Sequence, residues 1–397
     1  MTNNSADTPA RYDLLLRGGR VIDPAQGREG MYDIAITGGR VVAVERKIPR
    51  GQAAREIACA GQIVTPGLID MHAHGYWGAT MIGIQPDPLC RRTGVTTFVD
   101  TGSAGADNFT GFRHFIIERS RVRIVPLLHV CSIGLINQGV GELLDNRYVD
   151  LHRVVQTVTE HRDLIAGVKI RLGDWVSGAN TQAGFAAACE ARDAVGLPLM
   201  VHAVGQPVPL GYVLDRLKPG DILTHCFNGR ANGLLGPIGP ERPDWLEHGG
   251  EKKVIPEAWA ARERGVRFDV GHGLGSFSWE VAQRAVEQGF LPDTLGTDVY
   301  SMNINGPVYD LPTTMTKFLA LGVPLPEVIR RVTANAAAAL AHHPRTAGIG
   351  TLTPGASADV AVLEIEEGDF PLTDSQRQTR RHDRRLVARH TIQGGEL

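Results

Sequence analysis

The chain has 397 residues, 43% apolar and 21% charged, with a formal net charge of −2. That length exceeds one ordinary small domain and suits a large barrel with an accessory module. The apolar share is ample for a buried core, the charged share excludes wholesale disorder, and the near-neutral balance excludes a basic field for nucleic acid or a polybasic membrane-binding face.

Five cysteines (Cys59, Cys90, Cys131, Cys189 and Cys226) form no C-x-x-C pair and are odd in number, which fits a reduced compartment better than a disulfide scaffold. The opening run MTNNSADTPARYD has no apolar core of the signal-peptide kind, and no later segment is long and apolar enough to span a bilayer. The expectation is a soluble cytoplasmic protein.

From the N-terminus to about residue 61, short apolar runs at Tyr12–Arg17, Arg20–Ile22, Tyr32–Ile36 and Arg40–Val44 are separated by Gly-Gly turns and read as strands. Strands this short need partners. Similar material reappears at Ala358–Glu366 and Arg384–Gly395, so both chain ends, 1–61 and 346–397, are expected to form one small β-sandwich. The Arg-rich stretch QRQTRRHDRRL within the latter reads as a solvated hairpin.

Between 62 and 345 the rhythm changes. Short apolar runs (GLIDMHAH, TTFVDTG, RIVPLLHVC, IAGVKIRL, PLMVHAV, DILTHCF, VRFDVGHG, TLGTDVYS) alternate with helix-compatible segments such as TQAGFAAACEARDAVG. The predicted class is α/β, a closed (β/α)8 TIM barrel, with an open doubly wound sheet as the alternative. AAAAL at Ala336–Leu340 is helix propensity.

Unusual polar residues fall where those strands end. His72 and His74 end the first, Lys169 lies late in the fourth, His202 ends the fifth, His225 the sixth and His272 the seventh, and Asp298 lies late in the eighth. Side chains repeat every two residues along a strand, so His72 and His74 share the interior face and can approach one ion. Imidazole is a common zinc ligand, and Asp supplies a harder oxygen. Taken singly, an H-x-H pair can be coincidence, a buried His can be a hydrogen-bonded core residue, and Asp298 can be a helix cap. Their joint placement, one group per strand end, is what points to a metal site.

VTPGLIDMHAHGYWG (Val64–Gly78) closely resembles the first-strand motif of the amidohydrolase superfamily, especially its dihydroorotase-like and deacetylase-like members. The order HxH, Lys, His, His, Asp is similar to that superfamily's binuclear ligand set. GVKIR, THCFNG, DVGHGLGSFSW and GTDVYS resemble a branch of amidohydrolase/deacetylase metallohydrolases, some of which remove acetyl groups from small chiral carboxylates such as acetyl-(R)-mandelate. The resemblance covers nearly the whole chain. It implies that His72, His74 and Asp298 hold a buried divalent ion, zinc by ligand type, and that His202 and His225 hold an outer one. Lys169, carboxylated by CO₂, would bridge the two; a free ammonium cannot ligate two cations, whereas a carbamate offers two anionic oxygens. A metal-bridging hydroxide would then attack an acyl carbonyl, with Asp298 as base and then acid.

Arg171, two residues past Lys169, is expected on the same inward face, where it could clamp a substrate carboxylate or serve a structural ion pair. His272 is assigned to the acyl oxygen or substrate head, and Asn228 and Tyr300 to the pocket wall; Cys226 should point to the helix side. GHGLG at Gly271–Gly275 lacks the strand–GxGxxG–helix context of a phosphate cradle. The expected activity is hydrolysis of an ester or amide, an acetyl bond by resemblance, in a small carboxylate-bearing molecule. Cyclic-amide hydrolysis of the dihydroorotase or hydantoinase kind is the nearest rival. Deaminase chemistry typically dispenses with a bridging lysine, and a catalytically silent barrel would be expected to lose a ligand. A homo-oligomer is expected.

Overall fold

β-Branched and leucine residues bury one face of the N-terminal segment, and Tyr12–Asp23 forms a single strand where the sequence suggested two runs. The interruption at Gly18–Gly19 is a bulge in its pairing with Arg28–Thr37, not a break. At Gly19 a β-carbon would sit 2.4 Å from Val64 Cγ2, so close strand packing explains the residue. These coordinates come from a computed structural model that describes residues 11–236 and 252–397; residues 1–10 of the opening run lie outside the described part.

The two chain ends do combine. Tyr12–Asp23 pairs antiparallel with Arg28–Thr37, and parallel with Ala53–Ala58 and then Ile63–Pro66. Ile63–Pro66 in turn pairs antiparallel with Val360–Leu363 at the start of the long strand Val360–Thr373. That strand returns as Thr379–Ile392, giving a seven-stranded network for the small β-sandwich domain. Leu14, Leu16, Ile34, Val64, Val360, Val362 and Ile392 form one apolar cluster within it. Ile63–Pro66 still belongs to this end domain; Gly67 leads into the barrel.

The middle of the chain is the (β/α)8 barrel. Seven parallel strands follow one another around it: Leu68–Ala73, Val95–Thr101, Arg123–His129, Gly167–Leu172, Leu199–Ala203, Ile222–Thr224 and Arg267–Phe268. The eighth position is taken by the segment around Thr294–Val299, joined through parallel bridges Asp269↔Thr294 and Ala73↔Val299, which close the ring. All strand residues from Leu68–Ala73 through Ile222–Thr224, save Arg123, are buried on both faces, as helices outside and side chains inside require. Ile69, Val125 and Ile222, early in their strands, pack with Ala336, Leu340 and Ile349, while the polar residues come late. The long helix is Thr181–Val195, as its alanine-rich sequence predicts, and it ends on left-handed Gly196. The five cysteines are all free, and no helix among the described residues is long and apolar enough to cross a membrane.

Candidate active site

Strand register places the chemistry in one layer. Neighbouring strands pair His129 with Lys169 and His202 with Arg171. His72 and His74 both turn toward Asp298: Nε2 of His74 lies 3.1 Å, and Nε2 of His72 3.5 Å, from Asp298 Oδ1. Single donor atoms of His72, His74 and Asp298 all fall within 4.8 Å of one another. Lys169 Nζ is 3.5 Å from His72 Nε2. The ring of His225 is 4.8 Å from that of His72 and 4.3 Å from that of His202.

The backbone is bent to achieve this. His225 and Asp298 adopt left-handed conformations, with φ of 62° and 49°. Non-glycine residues rarely accept that region, and such strain concentrates where side-chain direction matters. Two glycines make room: a β-carbon at Gly273 would lie 2.3 Å from Asp298 Oδ2, and one at Gly296 2.5 Å from His72 Cβ.

Hydrogen bonds set the tautomers. Thr224 Oγ1 donates to Asp269 Oδ2 at 2.8 Å, so its lone pair faces His72 Nδ1 at 2.8 Å and must accept from it. His225 Nδ1 donates to the Gly271 carbonyl at 2.6 Å. In both rings Nε2 is thereby left as a lone pair aimed inward, the arrangement that prepares imidazoles for metal. His74 Nδ1 is similarly engaged by Ser103 Oγ at 3.0 Å. Burial holds His72 and His202 well below the usual imidazole range and pushes His225 down to about 3, keeping these rings neutral. Burial likewise lowers the Lys169 amine to about 7.

The donor set fits divalent metal binding. Nε2 of His202 and Nε2 of His225 are buried with no hydrogen-bond partner, an unfavourable state for two polar atoms unless something else binds them. With the Nε2 atoms of His72 and His74, the Lys169 amine and the Asp298 carboxylate beside them, they form the nitrogen-and-oxygen environment that zinc-type ions use.

These residues floor a cavity of about 520 Å³. Ile82, Trp175, Val204, Leu274 and Met302 supply apolar wall, and Arg171, Arg230, Gln138 and Tyr300 supply polar groups. Arg171 reaches the cavity, yet its Nη1 also pairs with buried Glu142 at 3.1 Å and its guanidinium stacks on Trp175 at 4.6 Å. The ion pair expected as one alternative for Arg171 is therefore formed, and the same side chain borders the cavity.

Two residues singled out in the sequence sit elsewhere. His272 is fully buried outside the cavity lining, stacked on Phe277, with Nε2 2.7 Å from Lys317 Nζ and Nδ1 2.9 Å from the Gly273 carbonyl. Both ring nitrogens are occupied, so direct contact with a substrate oxygen is dropped from the functional reading. Asn228 is also off the lining: it donates to the carbonyls of Ala203 and His225 and accepts from Arg230 N, fixing the turn after His225. Cys226 is buried in the apolar cluster that spans the strand–helix layer. Sequence reasoning passed over Thr224, Ser103, Asp269 and Glu142. Only Thr224, beside His225, and Asp269, just before GHGLG, carried any signal, as polar residues inside apolar strand runs.

A closed barrel whose strand ends converge on buried, metal-ready histidines, a lysine and an aspartate defines a metal-dependent hydrolase. No family model matches the chain. Among curated proteins it is 33% identical to a deacetylase of Agrobacterium fabrum over 398 aligned positions, covering 100% of this chain and 94% of that one. A deacetylase of Enterococcus faecalis is also 33% identical, over 97% of this chain and 99% of its own. Among solved structures, one described as an adenine deaminase superposes with a TM-score of 0.86 at 33% identity, covering 97% of this chain and 99% of that one. One described as a dihydroorotase gives 0.83 at 33%, covering 96% of each chain. The chain belongs to the amidohydrolase superfamily, in its dihydroorotase-like group of deacetylase relatives.

Proposed function

We propose that this enzyme removes an acetyl group, from an ester or amide, on a small molecule bearing a carboxylate. The observation that carries the reading is the shared cavity: the ligand-ready histidines, Lys169 and Asp298 form its floor, and Arg171 and Arg230 face the same space. Full-length similarity to proteins named deacetylases supports the acyl chemistry.

His72, His74 and Asp298 would hold one divalent cation, zinc by ligand type, and His202 and His225 a second, with Lys169 as the carboxylated bridge. Such ions, when bound, lower the pKa of water and polarise a carbonyl. The remaining work falls to the chain. A lysine amine lowered to about 7 is available in the neutral form that CO₂ requires. Asp298, its Oδ1 toward His72 and His74, takes the proton of the attacking water on its carboxylate and returns it to the leaving group. Arg171, held by Glu142 and Trp175, meets the substrate carboxylate, and the apolar wall of Trp175, Leu274 and Met302 excludes water around the acyl group.

The test is a screen of metal-replete protein against N-acetyl and O-acetyl carboxylates, dihydroorotate, hydantoins and adenine. Turnover confined to acetylated carboxylates is expected. Turnover confined to the cyclic amides would favour the second reading, which the likeness to the dihydroorotase structure supports; release of ammonia from adenine alone would overturn both.

A further inference from the structure

The loop 271–278, between the seventh barrel strand and the helix Trp279–Glu287, touches the site at several points. Its Gly271 carbonyl accepts from His225 Nδ1, Gly273 packs on Asp298 Oδ2, and Leu274, Gly275 and Ser276 line the cavity. On the barrel side two backbone bonds hold it, His272 N to Gly296 O and Gly273 N to Thr297 O.

Its other side is gripped by residues about a hundred positions away. Among the described residues the hairpin Val360–Thr373/Thr379–Ile392 pairs with the other end-domain strands only through Val360–Leu363, and the rest projects along the barrel, with Leu372 and Leu386 buried in the barrel's core cluster. Its tip meets the loop. Ser375 Oγ accepts from the amides of Ser276 and Phe277, both at 3.1 Å, and lies 3.1 Å from the Gly273 carbonyl, to which it donates. Ser375 N donates to Phe277 O, and Asp374 Oδ2 accepts from Trp279 N at 3.0 Å. Beneath them Lys317, fully buried in the helix Leu311–Ala320, reaches three acceptors: His272 Nε2 at 2.7 Å, Thr373 O at 2.7 Å and Pro307 O at 2.9 Å. No carboxylate forms an ion pair with it among the described residues. One amine thus ties together the loop, the hairpin tip and the segment after Asp298.

We propose that Lys317, Asp374 and Ser375 are positioning residues for the hydrolysis, a brace through which the C-terminal hairpin fixes the loop against His225 and Asp298. None of them touches the cavity. They act through the backbone of Gly271–Ser276, so their loss displaces the carbonyl that orients His225 and the glycine that seats Asp298. Misplacement on the order of an ångström can cost as much as a hundredfold in rate. The inference rests on the hydrolase reading above.

The experiment compares Ser375→Ala and Lys317→Met with Arg381→Ala, an exposed substitution on the same hairpin that leaves the tip contacts intact. Amide hydrogen exchange is followed by mass spectrometry, and kcat, KM and metal content are measured on whichever acetylated carboxylate the wild type hydrolyses. Ser375→Ala is expected to speed exchange in peptides covering 271–279 while strand peptides stay protected. With metal content unchanged, kcat should fall on the order of tenfold and KM move far less. Lys317→Met should change in the same direction and Arg381→Ala in neither. Loop exchange that stays at the wild-type level in Ser375→Ala, or that rises with kcat unchanged, overturns the brace. A wild type that hydrolyses nothing in the panel defeats the functional reading instead, and the exchange data still decide whether the tip holds the loop.

Discussion

Asp298 is pinned twice to His72: its backbone N–H donates to the His72 carbonyl at 2.6 Å, and its carboxylate faces the His72 ring at 3.5 Å. The first and last positions of the barrel are thus locked together at the residues that would share an ion. Removing the carboxylate leaves the backbone bond in place. Asp298→Asn is therefore expected to keep the fold and, through His202 and His225, much of the outer metal, while turnover falls by several orders of magnitude. Steady-state kinetics with elemental analysis on the same preparation checks this; activity within tenfold of wild type would remove Asp298 from proton transfer.

Metal stoichiometry is the next test. Protein purified without chelators should carry about two divalent ions per chain. A reproducible value near one after reconstitution with metal and bicarbonate would refute a bridged pair. Lys169→Ala should lose metal and activity together, with partial restoration by short carboxylic acids.

Thr224 should matter for metal affinity without touching metal. Thr224→Val keeps the shape but removes the bond to His72 Nδ1 and leaves Asp269 Oδ2 without its donor. Loss of such an orienting contact typically weakens metal binding 10- to 100-fold. Chelator competition would show it; unaltered affinity would mean that packing alone orients His72.

Arg171 requires a paired design, because Arg171→Met strands Glu142 in the interior, a change that costs about 3–5 kcal/mol. The Arg171→Met/Glu142→Gln double variant should recover much of that stability. A charge-assisted contact of roughly 1.5–3 kcal/mol then predicts a loss of kcat/KM on the order of ten- to hundredfold, mostly in KM. On the methyl ester of the same substrate, double variant and parent should converge. Equal losses on both substrates would confine Arg171 to a structural role.

Burial lowers the Lys317 amine from the ordinary 10.5 to about 7. Its proton is held more tightly by the unfolded chain, so this stabilising contribution is full above about 10.5 and is lost as pH falls to about 7. The thermal midpoint of wild type relative to Lys317→Met should accordingly rise as pH is raised from 7 toward 10. A flat difference would mean that its three acceptors keep the amine charged.

Much of this was legible in the sequence because barrel strands announce themselves. Period-two logic placed His72 with His74, and Lys169 with Arg171; the first pair converges on Asp298 Oδ1 and the second lines the cavity. The same logic fails past a strand's end. Ile222–Thr224 and Arg267–Phe268 are very short, so His225 and His272 lie beyond them, on backbone that alternation does not govern. His225 is swung inward by a left-handed φ, whereas His272 turns to Lys317. Partners such as Thr224, Ser103 and Glu142 come from separate strands and loops, and only tertiary register brings them to the histidines. The tip contacts of Asp374 and Ser375 were illegible for the same reason: their partners lie about a hundred residues upstream.

The end domain also sets an order of events during synthesis. Leu352 N bonds Asp23, 329 positions earlier in the chain, and among the described residues Ile63–Pro66 has no outer neighbour until Val360–Leu363 exists. The earliest strands to leave the ribosome must therefore wait, one edge unpaired, while nearly the whole barrel is translated. Long-range pairing of this kind is slow, and exposed edges invite association with other chains. A nascent chain arrested shortly before residue 360 should hold a substantially formed barrel beside an unfinished sheet, and its N-terminal strands, not the barrel, should be the segment that chaperones bind.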